Sequence, residues 1–322
     1  MVSVRDRPCR QFLSLPNGVP SHDTFRRVIS LLNPKRFEEL FTRWVNRLQE
    51  TFRGVVAIDG KSLRRSFNHQ RELGPLHLVQ AWSVEHGLVL GQEAVSDKSN
   101  EITAIPELLE QLSVAGNIVT IDAMGCQKEI AAKIRKKKAD YVLALKKNHG
   151  DLFDDVELYF QSAAENDFHE FAGTTHQTVE KGHGRIETRR YFFTTDIGWS
   201  GADAEWKDLA AFGMVEATRE INGKASTERR FYLTSLQSSA EEFATAVRGH
   251  WGIENSLHWV LDIVFREDES RTSDRNGARN LALLRKIALN LMKRDSSYKA
   301  SLHNKRRRAA WDPEYLLLLL SS

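Results

Sequence analysis

Two short apolar stretches of the chain each end in an aspartate. Residues 55–58 are followed by Asp59, and residues 118–121 are followed by Asp122. Runs that are apolar at consecutive rather than alternating positions predict central strands buried on both faces. A carboxylate at the end of such a strand is costly to desolvate unless a positive group meets it. One aspartate of this kind is ordinary, but two, each followed by a small residue, indicate room for a metal ion or a phosphate.

The elements around these stretches predict an α/β fold. Two more strands are expected at residues 76–84 and 88–94, and a helix follows that ends near residue 112. A helix at 126–138 then separates the second aspartate from a strand at 141–145. This order is that of the ribonuclease H-like fold, a mixed five-stranded sheet flanked by helices. In that topology the first and fourth strands are parallel neighbours, so their aspartates would meet.

The pattern divides the chain into four parts. The first is a helical N-terminal region in which Asn33 and Pro34 end the first of two helices. It is either a small cap on the main domain or the remnant of a DNA-binding region. The predicted boundaries are 1–53 for this region, 54–149 and 237–295 for the ribonuclease H-like core, 150–236 for a β-rich insertion, and 296–322 for a basic C-terminal tail.

The insertion is recognised by a change of pattern. Strand-like runs appear at residues 189–195, 210–220 and 229–236, with glycine, asparagine and aspartate between them. Residues 181–187 form a polar, basic loop that contains Arg185. This loop is either an exposed hairpin or a contact for a nucleic-acid backbone.

A long helix is predicted from Ser239, which has capping-box spacing to Glu242, to about Phe265. Its apolar side chains at helical spacing define one inward stripe. The stripe consists of Phe243, Val247, Trp251, Leu257, Leu261 and Phe265.

Glu254 lies in the middle of this stripe, with His250 and His258 one turn to either side. By helical geometry Glu254 is within about 20° of the centre of the stripe, whereas Asp262 is about 80° from Glu254. A glutamate on an apolar stripe is either a salt-bridged structural residue or a functional one. The other acids of the region are expected to be solvated: Asp262, Glu267, Asp268 and Glu269.

Composition limits the class of protein. The 322 residues suggest about two domains, or one domain with an insertion, and 41% hydrophobic residues can build a real core. The net charge of +3 does not demand a nucleic-acid partner. Two cysteines are too few for a disulfide framework and indicate a reducing compartment. No apolar run approaches the roughly 18 residues of a membrane helix, and no signal peptide is evident.

Basic residues cluster on both sides of the strand-end aspartates. Lys61, Arg64 and Arg65 follow the first, and residues 133–138 and Lys146 follow the second. Such clusters are either solvated surface or grips on phosphates, which dominate nucleic-acid affinity. Clusters that flank both aspartates favour phosphate.

The three carboxylates define one chemistry. Two strand-end aspartates and a helical glutamate can hold two divalent ions roughly 4 Å apart. Ligands that are all oxygen favour Mg²⁺ or Mn²⁺ over zinc. Two such ions suit in-line attack of water or a DNA 3′-hydroxyl at a phosphodiester.

Four stretches carry a family resemblance, namely AIDGK at 57–61, KSNEI at 98–102, TIDAMGCQ at 120–127 and HWGIEN at 250–255. Together they resemble the H-repeat-associated insertion-sequence transposases, which are DDE transposases. The resemblance implies a ribonuclease H-like core with a β-strand insertion, two Mg²⁺ or Mn²⁺ ions, and Asp59, Asp122 and Glu254 as catalytic and metal-binding residues. It also implies DNA as partner, both terminal repeats and target, a dimer on the DNA ends, no membrane, and a cytoplasmic, nucleoid-associated location.

The chain departs from many insertion-sequence relatives around the glutamate. Those relatives carry a tyrosine and an arginine before it and a lysine after it, where this chain has Val247, His250 and Leu261. Their DNA contacts are therefore not carried over. The candidate DNA contacts of this chain are Lys61, Arg64, Arg65, Lys146, Arg185, Arg248, His250 and His258.

Two alternatives remain beside the transposase. The chain starts late relative to the group, so it could be a non-catalytic DNA-binding relic, although the intact acidic triad argues against a damaged site. A metal-dependent nuclease without strand transfer would use the same residues.

Overall fold

The computed structural model of the protein describes residues 10, 14–48, 53–67, 73–96, 99–182 and 184–321. The helices, in chain order, are α1 (His22–Leu31), α2 (Pro34–Leu48), α3 (Glu101–Gln111), α4 (Lys128–Lys136), α5 (Gly150–Glu165), α6 (Ala240–Ile253), α7 (Trp259–Ile263), α8 (Arg275–Arg294), α9 (Leu302–Trp311) and α10 (Pro313–Ser321). The strands are β1 (Val55–Leu63), β2 (Leu76–Ser83), β3 (Leu88–Ala94), β4 (Ile118–Ile121), β5 (Asp140–Leu145), β6 (Thr174–Gly182), β7 (Arg185–Thr194), β8 (Ala211–Ile221) and β9 (Lys224–Thr234). None of the described helices is long and apolar enough to cross a bilayer.

The chain divides into two compact units. The first unit takes residues 1–50, 60–99 and 254–322, and the second takes residues 51–59 and 100–253. Strand β1 therefore begins in the second unit and ends in the first.

Parallel strands form the centre of the second unit. β1 pairs with β4, and β4 pairs with β5, both in parallel. Their apolar side chains are almost all buried, as uninterrupted hydrophobic runs predict. The prediction that the first and fourth strands are parallel neighbours is confirmed.

The β-rich insertion extends the same sheet instead of standing apart from it. β9 pairs antiparallel with β5 through four residue pairs, from Val142 with Thr234 to Leu145 with Phe231. β8, β7 and β6 follow in antiparallel order, so within the described residues the sheet has nine strands in the order β3-β2-β1-β4-β5-β9-β8-β7-β6. The predicted five-stranded sheet is therefore too small. The physical reason is that the edge of β5 presents unpaired backbone groups, which β9 satisfies.

The sequence patterns missed two elements of this region. α5 and β6 were not predicted, and β7 begins at Arg185, four residues before the predicted strand. The exposed half of β6 and β7 carries polar side chains on both faces, so it lacks the apolar signal of a buried strand. The basic loop at 181–187 is the tip of the β6–β7 hairpin.

The long helix predicted from Ser239 is interrupted. α6 ends at Ile253, a π-helical turn spans Glu254–His258, and α7 follows. Ile253 and Leu257 take buried positions, whereas Glu254 is exposed and Trp251 is 39% exposed. The prediction of one continuous stripe with Glu254 at its centre is therefore wrong. The carboxylate keeps its contact with water, which avoids the cost of burying its charge.

The two N-terminal helices pack on α8 within the first unit. The Asn280 side chain on α8 donates hydrogen bonds to the carbonyl oxygens of Ile29 (2.8 Å) and Leu32 (3.0 Å), which end α1. These bonds satisfy orphan carbonyls at a helix C-terminus. Packing of this kind is compatible with a small cap and with the remnant of a DNA-binding region, so both interpretations stay predictions.

A buried network of charged side chains joins α2, β3 and α8. Arg279 donates to Glu38 through Nε (2.6 Å) and also pairs with Glu93. Gln92 donates to Glu38 (2.8 Å) and accepts from the Lys286 ammonium (2.8 Å). Burial raises the pKa of Glu38 against the opposing effect of Arg279, and burial lowers the pKa of Lys286 to about 8.

The predicted basic tail is helical and partly buried. Lys305 on α9 donates to the Met292 carbonyl (2.9 Å) and pairs with Asp295 (3.2 Å). Tyr315 on α10 donates to the same aspartate (2.7 Å). The final apolar run, residues 316–320, belongs to α10.

Candidate active site

Two aspartates occupy neighbouring positions along the parallel strands β1 and β4 in the second unit. The register pairs Ile58 of β1 with Ile121 of β4, so the next position along each strand is Asp59 and Asp122, respectively. Both side chains are half-buried. Asp122 follows the end of β4, but Asp59 lies inside β1, which continues to Leu63, so the prediction that the first strand ends at Asp59 is wrong. The register of the sheet still makes the two carboxyl-bearing positions neighbours on adjacent parallel strands.

Backbone groups hold the carboxylate of Asp122. Its Oδ1 accepts hydrogen bonds from the backbone N–H groups of Met124 (3.1 Å) and Gly125 (3.4 Å), as in an Asx turn. A Cβ atom at Gly125 would lie 2.3 Å from Ile121 Cγ2 and 2.8 Å from Ile105 Cδ1. Only glycine allows the chain to turn this closely behind β4, which sets the direction of the aspartate.

A histidine from α6 contacts β4 close to Asp122. His250 Nδ1 lies 3.1 Å from Thr120 Oγ1 on β4. Burial lowers the pKa of His250, and the nearby Asp122 carboxylate opposes that shift. The neutral imidazole is therefore favoured at neutral pH. Burial, with the charge of Asp122, raises the pKa of the Cys126 thiol, which stays protonated.

Glu254, the third predicted carboxylate, opens the π turn and belongs to the first unit. π turns are rare and are frequently found at functional sites. Across the part of the chain that the structure describes, no three His, Cys, Asp or Glu side chains form a group that could hold a metal ion. Asp59, Asp122 and Glu254 offer only oxygen donors, the ligand chemistry that Mg²⁺ and Mn²⁺ prefer.

Comparison with known families decides the identity of this arrangement. The family described as "Transposase DDE domain" matches residues 50–291, and a family described as associated with that domain matches residues 3–45. The chain belongs to the DDE transposase family. The matched range includes Asp59, Asp122 and Glu254.

Relatives that align with nearly the whole chain carry transposase names. YhhI of Escherichia coli strain K12, named provisionally as an H repeat-associated transposase, is 40% identical over 97% of this chain and 83% of its own length. YncI of Escherichia coli O157:H7, named provisionally as a transposase, is 41% identical over 97% and 81%. The resemblance to the H-repeat-associated transposases is confirmed, and the protein is an insertion-sequence transposase by family.

A solved structure is also similar in outline. The piggyBac transposase, determined by cryo-EM in a synaptic complex with hairpin DNA, matches 94% of this chain and 63% of its own with a TM-score of 0.37 and 11% identity. A likeness at that score carries no argument about this transposase.

The basic residues after Asp59 have different surroundings. The side chain of Lys61 is only 9% exposed, and its Nζ lies 2.8 and 2.7 Å from the two carboxylate oxygens of Asp262. Arg64 is 81% exposed and pairs with Asp268 (3.2 Å). Arg65 and Lys146 are exposed. Lys61 is thus engaged inside the first unit, whereas its neighbours face solvent.

The acids that follow the π turn are less solvated than predicted. Asp262 is 27% exposed and Asp268 is 23% exposed, and Glu267 is buried. Only Glu269 is exposed, and it pairs with Arg266. The prediction failed because the basic partners come from segments distant in sequence.

The remaining candidates lie on or beside the insertion and the helix. Arg185 is exposed at the hairpin tip. Arg248 on α6 is exposed and pairs with Glu180 on β6 (2.5 Å). His250 is half-buried against β4, as described above, and His258 closes the π turn with a half-buried side chain.

One further feature escaped the sequence patterns. Glu187 on β7 is buried, and three guanidinium groups surround it, those of Arg189 (2.6 Å), Arg219 (3.6 Å) and Arg185 (3.9 Å). We call these four residues the arginine ladder. The alternation R-x-E-x-R at 185–189 is its only sequence signal, because Arg219 comes from the neighbouring strand.

Proposed function

We propose that the protein cleaves DNA and joins the freed end to target DNA in a reaction that depends on a divalent metal, on a ribonuclease H-like core. The observation that carries the proposal is the register of β1 and β4, which makes Asp59, inside β1, and Asp122, directly after β4, neighbours on parallel strands. The strand order β3-β2-β1-β4-β5 agrees with that core. Family membership supplies the reaction class, polynucleotidyl transfer.

Asp59, Asp122 and Glu254 would hold the metal ions. When bound, two Mg²⁺ or Mn²⁺ ions would activate the attacking oxygen and stabilise the leaving one. Asp122 is prepared for this role because the N–H groups of Met124 and Gly125 already orient one of its oxygens. His250 supports the strand from behind through Thr120 and, in its neutral form, adds no charge that would repel a cation.

DNA would be held by exposed basic side chains, with terminal repeats and target bound by two copies of the chain. The arginine ladder suits phosphate binding because the buried Glu187 fixes its guanidinium groups while Arg185 and Arg219 remain about half exposed. Arg64, Arg65 and Lys146 offer further exposed charge. Such contacts position a nucleic acid without reading its sequence.

The experiment compares the wild type with Asp122→Asn on DNA that carries the terminal repeats of the element. Mg²⁺-dependent cleavage and joining to a target plasmid are expected for the wild type. The variant should lose cleavage but keep its affinity for the DNA, because it removes a ligand charge and reduces repulsion of phosphate. Asp203→Asn, at an exposed site in a short 3-10 helix, is the matched control.

Each alternative has its own result. Binding without cleavage by the wild type would identify a DNA-binding relic, and cleavage without joining would identify a nuclease. Undiminished cleavage by Asp122→Asn would exclude the role assigned to Asp122.

A further inference from the structure

The surroundings of the Lys61 side chain are not those of a phosphate contact. Lys61 lies in β1 two residues after Asp59, so both side chains point to the same side of the strand. Its ammonium group is bound by both oxygens of Asp262, at 2.8 and 2.7 Å, and lies 3.8 Å from Asp268. With 9% of its side chain exposed, Lys61 has little surface to offer a DNA backbone.

The π turn explains how Asp262 comes to share a face with Glu254. In a continuous α-helix, residues eight apart are separated by about 80° around the axis. A π turn accommodates one extra residue, so the pair behaves as if it were seven apart, within about 20° of one face. The π turn at Glu254–His258 lies between them. Glu254 and Asp262 therefore lie on one face, two turns apart.

The Lys61–Asp262 pair differs from the other ion pairs near it. The Arg64 side chain is 81% exposed and pairs with Asp268 at the surface, where water and salt weaken such contacts. Lys61 and Asp262 are 9% and 27% exposed, so their attraction is screened less and loss of one partner leaves a charge with poor hydration. The pair thus has the properties of a fixed connection between the end of β1 and α7.

We propose that Lys61 and Asp262 are positioning residues for the reaction. Lys61 lies on the strand that carries Asp59, and Asp262 lies on the helical run that carries Glu254, so the ion pair fixes the first-unit part of each element that bears a carboxylate. The inference rests on the proposed function, since it requires that both carboxylates hold metal ions. The competing interpretation is that Lys61 leaves Asp262 and grips a phosphate when DNA binds.

The experiment uses the full chain with four variants: Lys61→Met, Asp262→Asn, the charge exchange Lys61→Asp with Asp262→Lys, and Lys207→Met. Lys207 pairs with Asp208 at 3.1 Å on the surface and serves as the matched control. Single-turnover cleavage is measured against Mg²⁺ concentration. DNA affinity is measured without metal against salt concentration, and thermal unfolding is followed for every variant.

Each single substitution should lower cleavage by about 10²-fold, the cost of a misplaced catalytic group, and raise the Mg²⁺ concentration for half-maximal rate. The slope of log affinity against log salt should not change, and the exchange should restore most of the rate. Lys207→Met should behave as the wild type. A slope flattened by about 0.9 in Lys61→Met, one phosphate contact, without rescue by the exchange, would overturn the proposal in favour of the phosphate grip.

Two other results are also decisive. Wild-type rates and Mg²⁺ dependence in both single variants would overturn this inference and leave the proposed function standing. Absence of cleavage by the wild type would overturn the proposed function itself, and the inference with it. If either single variant unfolds at the assay temperature, Asp262→Glu replaces it, because this substitution keeps the carboxylate that pairs with Lys61. Asp262→Glu should keep the Mg²⁺ dependence of the wild type, and loss of that dependence in a folded Asp262→Glu would overturn the inference.

Discussion

Two regions of this transposase hold a carboxylate by different physical means. Asp122 stands at the end of a buried strand, its position given by the β1–β4 register and its direction by the backbone N–H groups of Met124 and Gly125. Glu254 begins a π turn within a helical segment, so its position is not determined by pairing between strands. Side-chain contacts of Lys61 with Asp262 hold the segment that follows.

The difference separates what backbone geometry determines from what side chains determine. A hydrogen-bonded register is cooperative, so its strand ends change little when one side chain is replaced. A helix held by an ion pair depends on two individual groups. We therefore expect substitutions around Asp122 to act through packing, and those around Glu254 to act through charge.

The largest effect is expected at the helix-borne carboxylate. Glu254→Gln should lower cleavage by about 10⁴-fold, because residues that act as one catalytic unit lose nearly all function together. Its thermal unfolding should be nearly unchanged, since the side chain is exposed and surface substitutions have little effect on stability. Single-turnover cleavage and calorimetry measure the two quantities. Glu241→Gln, exposed at the start of α6, is the control. Cleavage by Glu254→Gln at the wild-type rate would remove Glu254 from the triad.

The strand-borne part of the candidate site was predictable from sequence because its signal is local. Four consecutive apolar residues before Asp59 identify a buried strand, and the order of elements places that strand beside the one that ends at Asp122. Both conclusions are confirmed by the pairing of Ile58 with Ile121.

The helix-borne part was predicted less well for an equally physical reason. A periodicity of 3.6 residues assumes an uninterrupted α-helix, and no pattern in the sequence predicted the π turn at Glu254. The partner of Asp262 is 201 residues away, at Lys61, so neither pattern nor spacing pointed to it. The extension of the sheet by β9 was missed for the same reason, because edge pairing depends on distant segments.

An intermediate effect is expected behind Asp122. Gly125→Ala would place a Cβ atom 2.3 Å from Ile121 Cγ2, so the turn that carries the two N–H donors must move. Overpacking of this kind costs about 1–3 kcal/mol of stability, and a shift of the carboxylate should lower cleavage by about 10²-fold. Chemical denaturation and single-turnover cleavage measure the two effects.

The control for that substitution is Gly198→Ala, where an added Cβ has no atom within 4 Å. It should leave cleavage and stability as they are. If Gly125→Ala cleaves at the wild-type rate, the hydrogen bonds from the backbone to Asp122 do not control cleavage. That result would contradict the part of the comparison that concerns the strand-borne carboxylate.

The smallest effect on cleavage is expected for charge in the first unit away from the site, where the quantity to measure is the pH dependence of stability. Burial lowers the pKa of Lys286 from 10.5 to about 8, while the unfolded chain keeps the ordinary value. Between these two values the unfolded state binds more protons than the folded state, so stability rises with pH by up to about 1.4 kcal/mol per unit. Below about pH 8 both states are protonated and the full cost of the buried charge is present. Lys286→Met should remove this dependence, which urea unfolding at pH 7 to 10.5 detects as a difference between variant and wild type. The control is Lys128→Met, which removes an exposed lysine paired with Glu205 and should give a curve of stability against pH parallel to that of the wild type. If Lys286→Met also gave a parallel curve, Gln92 and the surrounding carboxylates would offset the burial of the ammonium group completely. Side-chain charge would then stabilise the first unit less than the comparison of the two regions requires.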